Sequence, residues 1–453
     1  MNNDEARKEF EYILKNYVLP IIPTKGELIF KKCNKPYTTS NLIKLHKKKY
    51  YTIYPCFNNP LIFYRIEAED QCPSLGAAEE ILREIMKISQ YLFNNPKFPY
   101  NSYYDLDIDG HYVYRINRYN LAFEIGLCNW LGGKSVFRLL EKMRSWSQKT
   151  YEGKRIPFSF LIDANNKAKG IDDFIEFLDN NHSAVFTDGM TSGISLDNKG
   201  YITGYFSTNY DADKREGKKL IPLAPYRFRD IASRCYTDKN QSVWIGIIAQ
   251  TNGDILIFKN RSLVFAKRNG KWLYLNAKRI IDRIKEFIIV EDGIKDYFAK
   301  EIYLTLLDVT FARTGGCLAI IKEEYKDSVI QKYISFDYLD NDEKNKEKKA
   351  ILKRLMCAGA DNENRIFYCL DRKLRQELLG LDGATVIDTT GRIICSGAIV
   401  KIDGGSEEGG RTAAAIQLSS YGFAVKISMD GHIRGFHGRD GDIRTVNQVL
   451  TMF

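Results

Sequence analysis

The stretch LDGATVIDTTGRIICSGAIVKIDGGSEEGGRTAAAIQLSSYGFAVKISMDGHI, from Leu381 to Ile433, alternates short apolar runs with glycine-rich turns. The runs ATVID, RIICSGAIV and AVKIS predict β-strands, whereas LDRKLRQELLG just before them predicts a helix. A second helix is expected where Ala413, Ala414 and Ala415 follow the glycine-rich loop. Helices interspersed with strands in this way indicate an α/β architecture with a mixed sheet.

The same alternation continues upstream of this stretch. The segments RIIDRIKEFI and AKEIYLTLLDVTFAR predict helices, and CLAIIKEE predicts a strand directly after Gly315 and Gly316. Residues 274–453 are therefore expected to form one domain, a mixed twisted sheet flanked by helices.

Two further regions precede this domain. Residues 176–273 predict a β-rich region of short strands, in which Asn-Gly at 252–253 and at 269–270 is the strongest hairpin signal. The aspartates at its turns, Asp188, Asp197 and Asp254, are interpreted as turn formers because they lack metal-ligand spacing. Residues 1–175 predict a mixed α/β region of unknown role, with helices at 77–93 and 135–146.

The charge balance favours an anionic partner. Lysine and arginine total 67 against 57 acidic residues, which gives a formal net charge of +10. Nucleotides and nucleic acids are the partner classes that such a balance suits. The basic segment from Lys25 to Lys49 is interpreted as a solvated face, since no nucleic-acid-reading motif accompanies it.

The cysteines and the N-terminus bear on location. Nine cysteines are scattered without metal-knuckle or disulfide spacing, so reduced thiols in the cytoplasm are expected. The sequence MNNDEARKEF lacks the apolar run of a signal peptide. No uncharged apolar segment reaches the roughly 18 residues needed to span a bilayer, so no membrane association is expected.

The first candidate for chemistry is Asp382, in the sequence Asp382-Gly383-Ala384. It lies between a predicted helix and a predicted strand, a junction that falls at the end of a sheet. Open α/β folds bind ligands at such ends. A carboxylate there can hold a divalent ion beside a triphosphate, so Mg²⁺ or Mn²⁺ is the expected cofactor.

The second candidate is the loop GGSEEGGRTAAA. Its glycines let backbone N–H groups approach a phosphate, Arg411 supplies a two-pronged donor, and Thr412 lies at the start of a helix. Glu407 and Glu408 would repel phosphate unless they face solvent or bind the metal. Because glycine-rich loops occur widely, this loop alone is a weak signal.

In this context the C-terminal region resembles the diadenylate cyclase domain. Phe311-Ala312-Arg313-Thr314-Gly315-Gly316-Cys317-Leu318 is similar to that family's first motif, and Asp382-Gly383-Ala384 matches its second. Gly409-Gly410-Arg411-Thr412 and Ser428-Met429-Asp430 stand at the third and fourth motifs. The resemblance spans roughly residues 274–453. With the segment 252–272 it also extends to a divergent subgroup in bacterial conflict systems, regarded as nucleotide sensors.

The resemblance implies roles for individual residues. Asp382 would be the metal-binding and catalytic carboxylate, Arg411 would act with it on the phosphates, and Asp430 would support the metal or nucleotide. The positions that it assigns to nucleotide binding are Gly315, Gly316, Cys317, Leu318, Gly383, Ala384, Gly409, Gly410, Arg411, Thr412 and Asp430. The family's third motif begins with an arginine and a histidine, which Gly409 and Gly410 replace here, so a cationic phosphate clamp is lost.

Three functions follow from these observations. The first is a metal-dependent nucleotidyltransferase that joins nucleoside triphosphates into a cyclic or linear dinucleotide signal for antiphage defence, working as a homodimer or higher homo-oligomer. The second is an inactive sensor of a nucleotide or dinucleotide that signals to an effector protein of a defence system. The third is nucleic-acid binding through the basic segment, which has the least support.

Overall fold

The computed structural model describes the chain in separate stretches. They are residues 24–32, 43–46, 50–53, 62–68, 113–131, 134–146, 150–151, 154–165, 186–207, 221–236, 243–337, 366–402 and 409–452, with residues 11, 14–15, 81, 83–85 and 174. The glycine-rich residues 403–408, which include Glu407 and Glu408, and most of the predicted helix 77–93 lie outside them. The chain divides into two compact units, residues 1–208 with 235–257 and 266–274, and residues 209–234 with 258–265 and 275–453.

A four-stranded antiparallel sheet forms the beginning of the first unit. Its strands are β1 Thr24–Lys32, β2 Ile43–His46, β3 Tyr50–Ile53 and β4 Ile62–Ala68. They lie in the order β1-β4-β3-β2, with every neighbour antiparallel. The basic segment Lys25–Lys49 lies partly in this sheet, but its side chains are not among those described, so the nucleic-acid interpretation stays untested.

Two helices follow, α1 Val113–Leu131 and α2 Lys134–Trp146. Four apolar positions of α2 recur at helical spacing and are buried, namely Val136, Leu139, Leu140 and Met143. The predicted helix at 135–146 is therefore confirmed. Together with the first sheet, these helices make the N-terminal region mixed α and β, as expected.

The middle of the chain is rich in strands. A small hairpin, β5 Thr150–Tyr151 and β6 Lys154–Arg155, precedes a seven-stranded sheet. The strands of that sheet are β7 Phe158–Asp163, β8 Ser192–Leu196, β9 Ile202–Ser207, β10 Trp244–Ala249, β11 Ile255–Lys259, β12 Ser262–Arg268 and β13 Lys271–Tyr274. Their order is β13-β12-β11-β10-β7-β8-β9, and the sheet is mixed because β7 runs parallel to β8.

The aspartates in this region close turns. Asp188 Oδ1 accepts hydrogen bonds from the backbone N–H groups of Met190, Thr191 and Ser192 at 2.7–2.9 Å. Partial burial alone would raise the pKa of Asp188, but these bonds and the Thr191 hydroxyl lower it to about 2. Asp197 likewise accepts from the N–H of Tyr201 at 2.9 Å. The interpretation as turn formers is confirmed for Asp188 and Asp197, whereas the buried carboxylate of Asp254 pairs with Arg268 Nε at 3.2 Å.

The second unit is built on another seven-stranded sheet. Its strands are β14 Gly316–Ile321, β15 Ile334–Phe336, β16 Ala384–Asp388, β17 Ile393–Val400, β18 Gly422–Ile427, β19 Ile433–Arg439 and β20 Asp442–Met452. The order is β15-β17-β16-β14-β18-β19-β20. Only β14 and β16 pair in parallel, so the sheet is mixed, as the sequence predicts.

Helices cover both faces of this sheet. They are α5 Asp292–Ala312, α6 Lys326–Tyr333, α7 Arg372–Gly380 and α8 Gly410–Ser419, and the unit also contains α3 Arg229–Arg234 and α4 Ala277–Lys285. Leu418 of α8 and Val329 of α6 pack with Cys317 and Ala424 on one face. On the other face, Gly316 packs against α5 and α7. Strands β14 and β16 are consequently buried on both sides, which explains why they read as unbroken apolar runs.

No helix in the described part of the chain is both long enough and apolar enough to cross a membrane. Five of the described cysteines are free: Cys128, Cys235, Cys317 and Cys395, which are buried, and Cys369, which is exposed.

The β12–β13 hairpin offers a test of the predicted turn. Asn269 and Gly270 both have positive φ angles, 49° and 79°, as a type I′ turn requires. A Cβ at Gly270 would meet nothing within 4 Å, so Gly270→Ala should destabilise the protein by backbone conformation alone, by about 1 kcal/mol. Gly293→Ala is the matched control because this helical glycine also has open space. It should be neutral or stabilising in urea unfolding, and equal losses for both variants would contradict the turn assignment.

Candidate functional site

Two buried ion pairs join helices α5 and α7. The guanidinium of Arg375 pairs with Glu301 and donates from Nε to Thr305 Oγ1 at 3.1 Å. Arg372 forms a bidentate ion pair with Asp308, with Nε–Oδ2 at 2.6 Å and Nη2–Oδ1 at 2.8 Å. All four ionic side chains are largely removed from solvent. The pairs fix the two helices together, and the chain leaving each helix enters the candidate site.

The chain leaves α5 through a left-handed turn. Arg313 caps the helix with φ of 57°, and Gly315 follows with φ of 69°. A Cβ on Gly315 would lie 2.7 Å from Nη1 of Arg411. Glycine at this position therefore leaves room for the arginine side chain to reach the start of β14.

The chain leaves α7 through the turn that carries Asp382. Gly383 has φ of 107°, and a Cβ there would lie 2.5 Å from the carbonyl carbon of Gly397 in β17. Glycine alone allows this close backbone approach. The turn brings Asp382 to the beginning of β16 with 92% of its side chain exposed. The predicted position at the end of the sheet, between helix and strand, is confirmed.

The two turns also touch one another. A Cβ on Gly316 would lie 2.5 Å from the carbonyl oxygen of Leu379, and one on Gly380 would lie 3.4 Å from Thr314 Oγ1. The turn after α5 and the end of α7 thus pack against each other, most closely where the backbone of Gly316 meets that of Leu379.

Helix α8 supplies the third segment. Gly409 is its N-cap residue, with φ of 85°, and Arg411 and Thr412 lie in its first turn. Gly409 and Gly410 are exposed, and a Cβ on either would meet nothing within 4 Å. Thr412 is 1% exposed, whereas about a third of the Arg411 side chain reaches solvent. The exposed first turn of a helix suits an anion.

Arg411 connects the three segments. Its Nη2 lies 4.0 Å from Asp382 Oδ1, and its Nη1 occupies the space over Gly315. An ion pair this long and this exposed contributes little to stability. The structure nevertheless brings a carboxylate and a guanidinium together at one end of the sheet, although they are distant in sequence.

Besides Thr412, three of the predicted nucleotide-binding residues have buried side chains. Cys317 and Leu318 lie within β14 and are 1% exposed, and Ala384 is fully buried at the start of β16. Burial raises the pKa of the Cys317 thiol to about 12, although the charge of Arg411 opposes the rise. These residues belong to the buried strands that follow the two turns.

The fourth predicted segment is the turn between β18 and β19. Met429 is 64% exposed, and its Cγ lies 3.4 Å from the position that a Cβ on Gly315 would take. Partial burial would raise the pKa of Asp430, but the backbone N–H and charge of His432 hold it below its usual value. The contacts described for Asp430 join it to His432, at 3.8 Å, and to the adjacent Ser428.

Within the described part of the chain, a divalent cation would find few ligands at this site. Among the described residues, no group of three or more histidine, cysteine, aspartate or glutamate side chains is placed to hold a metal ion. Asp382 offers one exposed carboxylate. Mg²⁺ is commonly bound by one or two carboxylates and completed by substrate phosphates. The residues therefore fit a metal that arrives with a nucleotide.

Sequence reasoning missed one residue that contacts this site. Arg434 lies in β19, and its Nη2 donates to Thr412 Oγ1 at 3.4 Å. The signal was present in the alternation of Ile433-Arg434-Gly435-Phe436, since side chains two apart in a strand share a face. Phe436 packs on the α8 face of the sheet, which places Arg434 on that face too.

No protein-family model and no curated protein matches the sequence. Among solved structures, a crystal structure of DacA from Staphylococcus aureus, in a double-mutant form, is similar to the chain with a TM-score of 0.23. The two are 16% identical, and the likeness covers 35% of this chain and 90% of that chain. At this TM-score and identity the likeness does not establish a shared family or activity.

Proposed function

We propose that residues 274–453 form a nucleotidyltransferase domain that joins nucleoside triphosphates into a cyclic or linear dinucleotide. The observation that carries the proposal is the meeting of the Asp382 carboxylate and the Arg411 guanidinium, 4.0 Å apart at the end of a mixed sheet. The resemblance of the sequence motifs to the diadenylate cyclase domain supports the same chemistry.

The transfer needs a base and a cation. The 3′-hydroxyl oxygen of one nucleotide forms a bond to the α-phosphorus of another, and the bond from that phosphorus to the bridging oxygen of the β-phosphate breaks. The hydroxyl proton passes to the Asp382 carboxylate, and pyrophosphate leaves with the electron pair. Arg411 stabilises the negative charge that develops on the phosphate oxygens. One transfer gives a linear product, and a second closes the ring.

Mg²⁺ or Mn²⁺ is proposed to enter with the triphosphate and to be held by Asp382. When bound, such an ion neutralises phosphate charge and lowers the barrier to transfer. The Arg411 guanidinium, 4.0 Å from this carboxylate, would turn to the phosphate oxygens when the nucleotide binds.

The chemistry requires two nucleotides, whereas one copy of the domain has one Asp382. Two facing copies, in a homodimer or higher homo-oligomer, would each present one nucleotide. We propose that the product serves as a second messenger for an effector protein in cytoplasmic antiphage defence, which the resemblance to a conflict-system subgroup supports.

A second function is favoured by one specific observation. Gly409 and Gly410 leave the start of α8 without the cationic side chains that the resemblance leads one to expect there. A site without that clamp can still bind phosphate through Arg411 and the helix N-terminus. The alternative is therefore an inactive sensor that binds a nucleotide or dinucleotide and passes its occupancy to an effector.

One incubation distinguishes the two functions. Purified protein is mixed with ribo- and deoxynucleoside triphosphates and Mg²⁺ or Mn²⁺, and the products are identified by mass spectrometry. The enzyme should release pyrophosphate and form a dinucleotide. The sensor should consume no triphosphate, but nucleotide should raise its melting temperature, because a ligand that binds only the native state stabilises that state. Neither turnover nor stabilisation would refute both functions.

A further inference from the structure

Two cations face each other across strands β18 and β19. The antiparallel register pairs Lys426 directly with Arg434, and it pairs Cys317 of β14 with Lys426. These three residues form one row across the sheet, on the face that α8 covers, because neighbours across a sheet share a face. Both cations are half-buried.

The row ends under the first turn of α8. Arg434 donates to the hydroxyl of Thr412. The charge of Arg411 acts on the Cys317 thiol and opposes the rise in its pKa that burial causes. Lys426 donates to Ser428 Oγ and lies close enough to Asp430 to lower the pKa of that carboxyl. Arg411 and Arg434 therefore lie beside Thr412 at the exposed N-terminus of α8, and Lys426 is the neighbour of Arg434 on the adjoining strand. Asp382 lies beside Arg411, and the charge of Lys426 acts on Asp430.

The register places two positive charges directly opposite each other. Like charges directly opposite each other on antiparallel strands repel, and half-burial strengthens the repulsion by reducing the shielding of water. A bound polyanion would turn the repulsion into attraction. Neither strand position belongs to the motifs that the sequence resemblance covers.

We propose that Lys426 and Arg434 bind the β- and γ-phosphates of a nucleoside triphosphate, while Arg411 contacts the α-phosphate. This rests on the proposed function insofar as the ligand is a nucleotide. The pair supplies, from the sheet, the positive charge that Gly409 and Gly410 do not supply from α8. The site should consequently discriminate triphosphates from monophosphates.

Titration calorimetry with inorganic tripolyphosphate, which has no base, and with nucleotides tests the role of Lys426 and Arg434. Inorganic tripolyphosphate, ATP, GTP and AMP, each with Mg²⁺, are titrated into wild type, Lys426→Met and Arg434→Met. Tripolyphosphate and triphosphate affinity should fall about tenfold or more in each variant, with AMP affinity unchanged. Arg439→Met is the matched control, since Arg439 ends the same strand and is exposed, and it should bind as wild type does. Arg434→Lys keeps the charge and should recover most of the affinity, which separates lost charge from misfolding.

The outcomes separate this inference from the proposed function. Undiminished triphosphate binding by both methionine variants would overturn the inference and leave the proposed function standing. An equal loss of AMP and triphosphate binding would also overturn it, because the pair would then act on the α-phosphate. Tripolyphosphate binding that needs Lys426 and Arg434, in a protein that binds no nucleotide, would support the inference and overturn the proposed function. No binding of any probe to wild type would overturn both.

Discussion

Asp382→Asn is expected to abolish dinucleotide formation, with a loss of about 10²- to 10⁴-fold, because the amide can neither accept the hydroxyl proton nor hold a divalent cation. The fold should be unaffected, since 92% of the side chain is exposed and its contact with Arg411 is long. Product formation is measured by mass spectrometry, and the melting temperature is measured in parallel.

Asp282→Asn is the matched control for this experiment. Asp282 is also an exposed aspartate of the second unit, and it pairs with Lys285 on α4 rather than with a site residue. The control should retain full activity. If the Asp382 variant forms product at the wild-type rate, the carboxylate has no catalytic role. If the Asp382 variant loses nucleotide binding along with turnover, Asp382 also contributes to binding the nucleotide before the transfer step.

Glu301→Gln is expected to destabilise the second unit strongly, by about 3–5 kcal/mol, because it leaves a buried guanidinium without a counter-charge. Arg375 is 1% exposed, and burial already lowers its pKa despite the charge of Glu301. Its Nη1 donates to two backbone carbonyls, those of Tyr368 at 3.0 Å and Leu370 at 2.7 Å. Free energies of unfolding from urea titration provide the measurement.

A double-mutant cycle makes the second prediction sharper. Replacing both Glu301 and Arg375 by methionine should cost less than the sum of the two single changes, since the double variant buries no lone charge. Asp296→Asn, in the same helix, is the control. Asp296 is about half exposed and pairs with Lys285 and Lys300, so its loss should cost less than about 1 kcal/mol. Additive losses in the cycle would show that the pair does not couple.

The secondary structure of the second unit follows closely from the sequence. The strand predicted at ATVID coincides with β16, and the predicted helix LDRKLRQELLG contains α7, capped by the side chain of Asp371. These elements were predictable because each carries its own local signal, an unbroken apolar run or a cap. The sequence AVFTDG at 184–189, which predicts one of the short strands of the middle region, is an exception, since its described residues 186–189 form a turn around Asp188 rather than a strand.

The candidate site was only partly predictable. Asp382 and Arg411 are conspicuous in the sequence because of the glycines beside them, but the contact between them depends on how the sheet and α8 pack. The row of Lys426 and Arg434 depends on the register of β18 against β19. A shift of two residues would keep every side chain on its own face but would give Lys426 a different partner, so periodicity alone does not fix this pairing.

The close packing of Gly316 on Leu379 and of Gly380 on Thr314 has a consequence for mutational screens. A single methyl group introduced at Gly316 would force the turn after α5 away from the end of α7, without removing any polar side chain of the candidate site. Loss-of-function variants should accordingly occur at Gly316 as well as at the charged positions. A screen restricted to polar residues would miss this position.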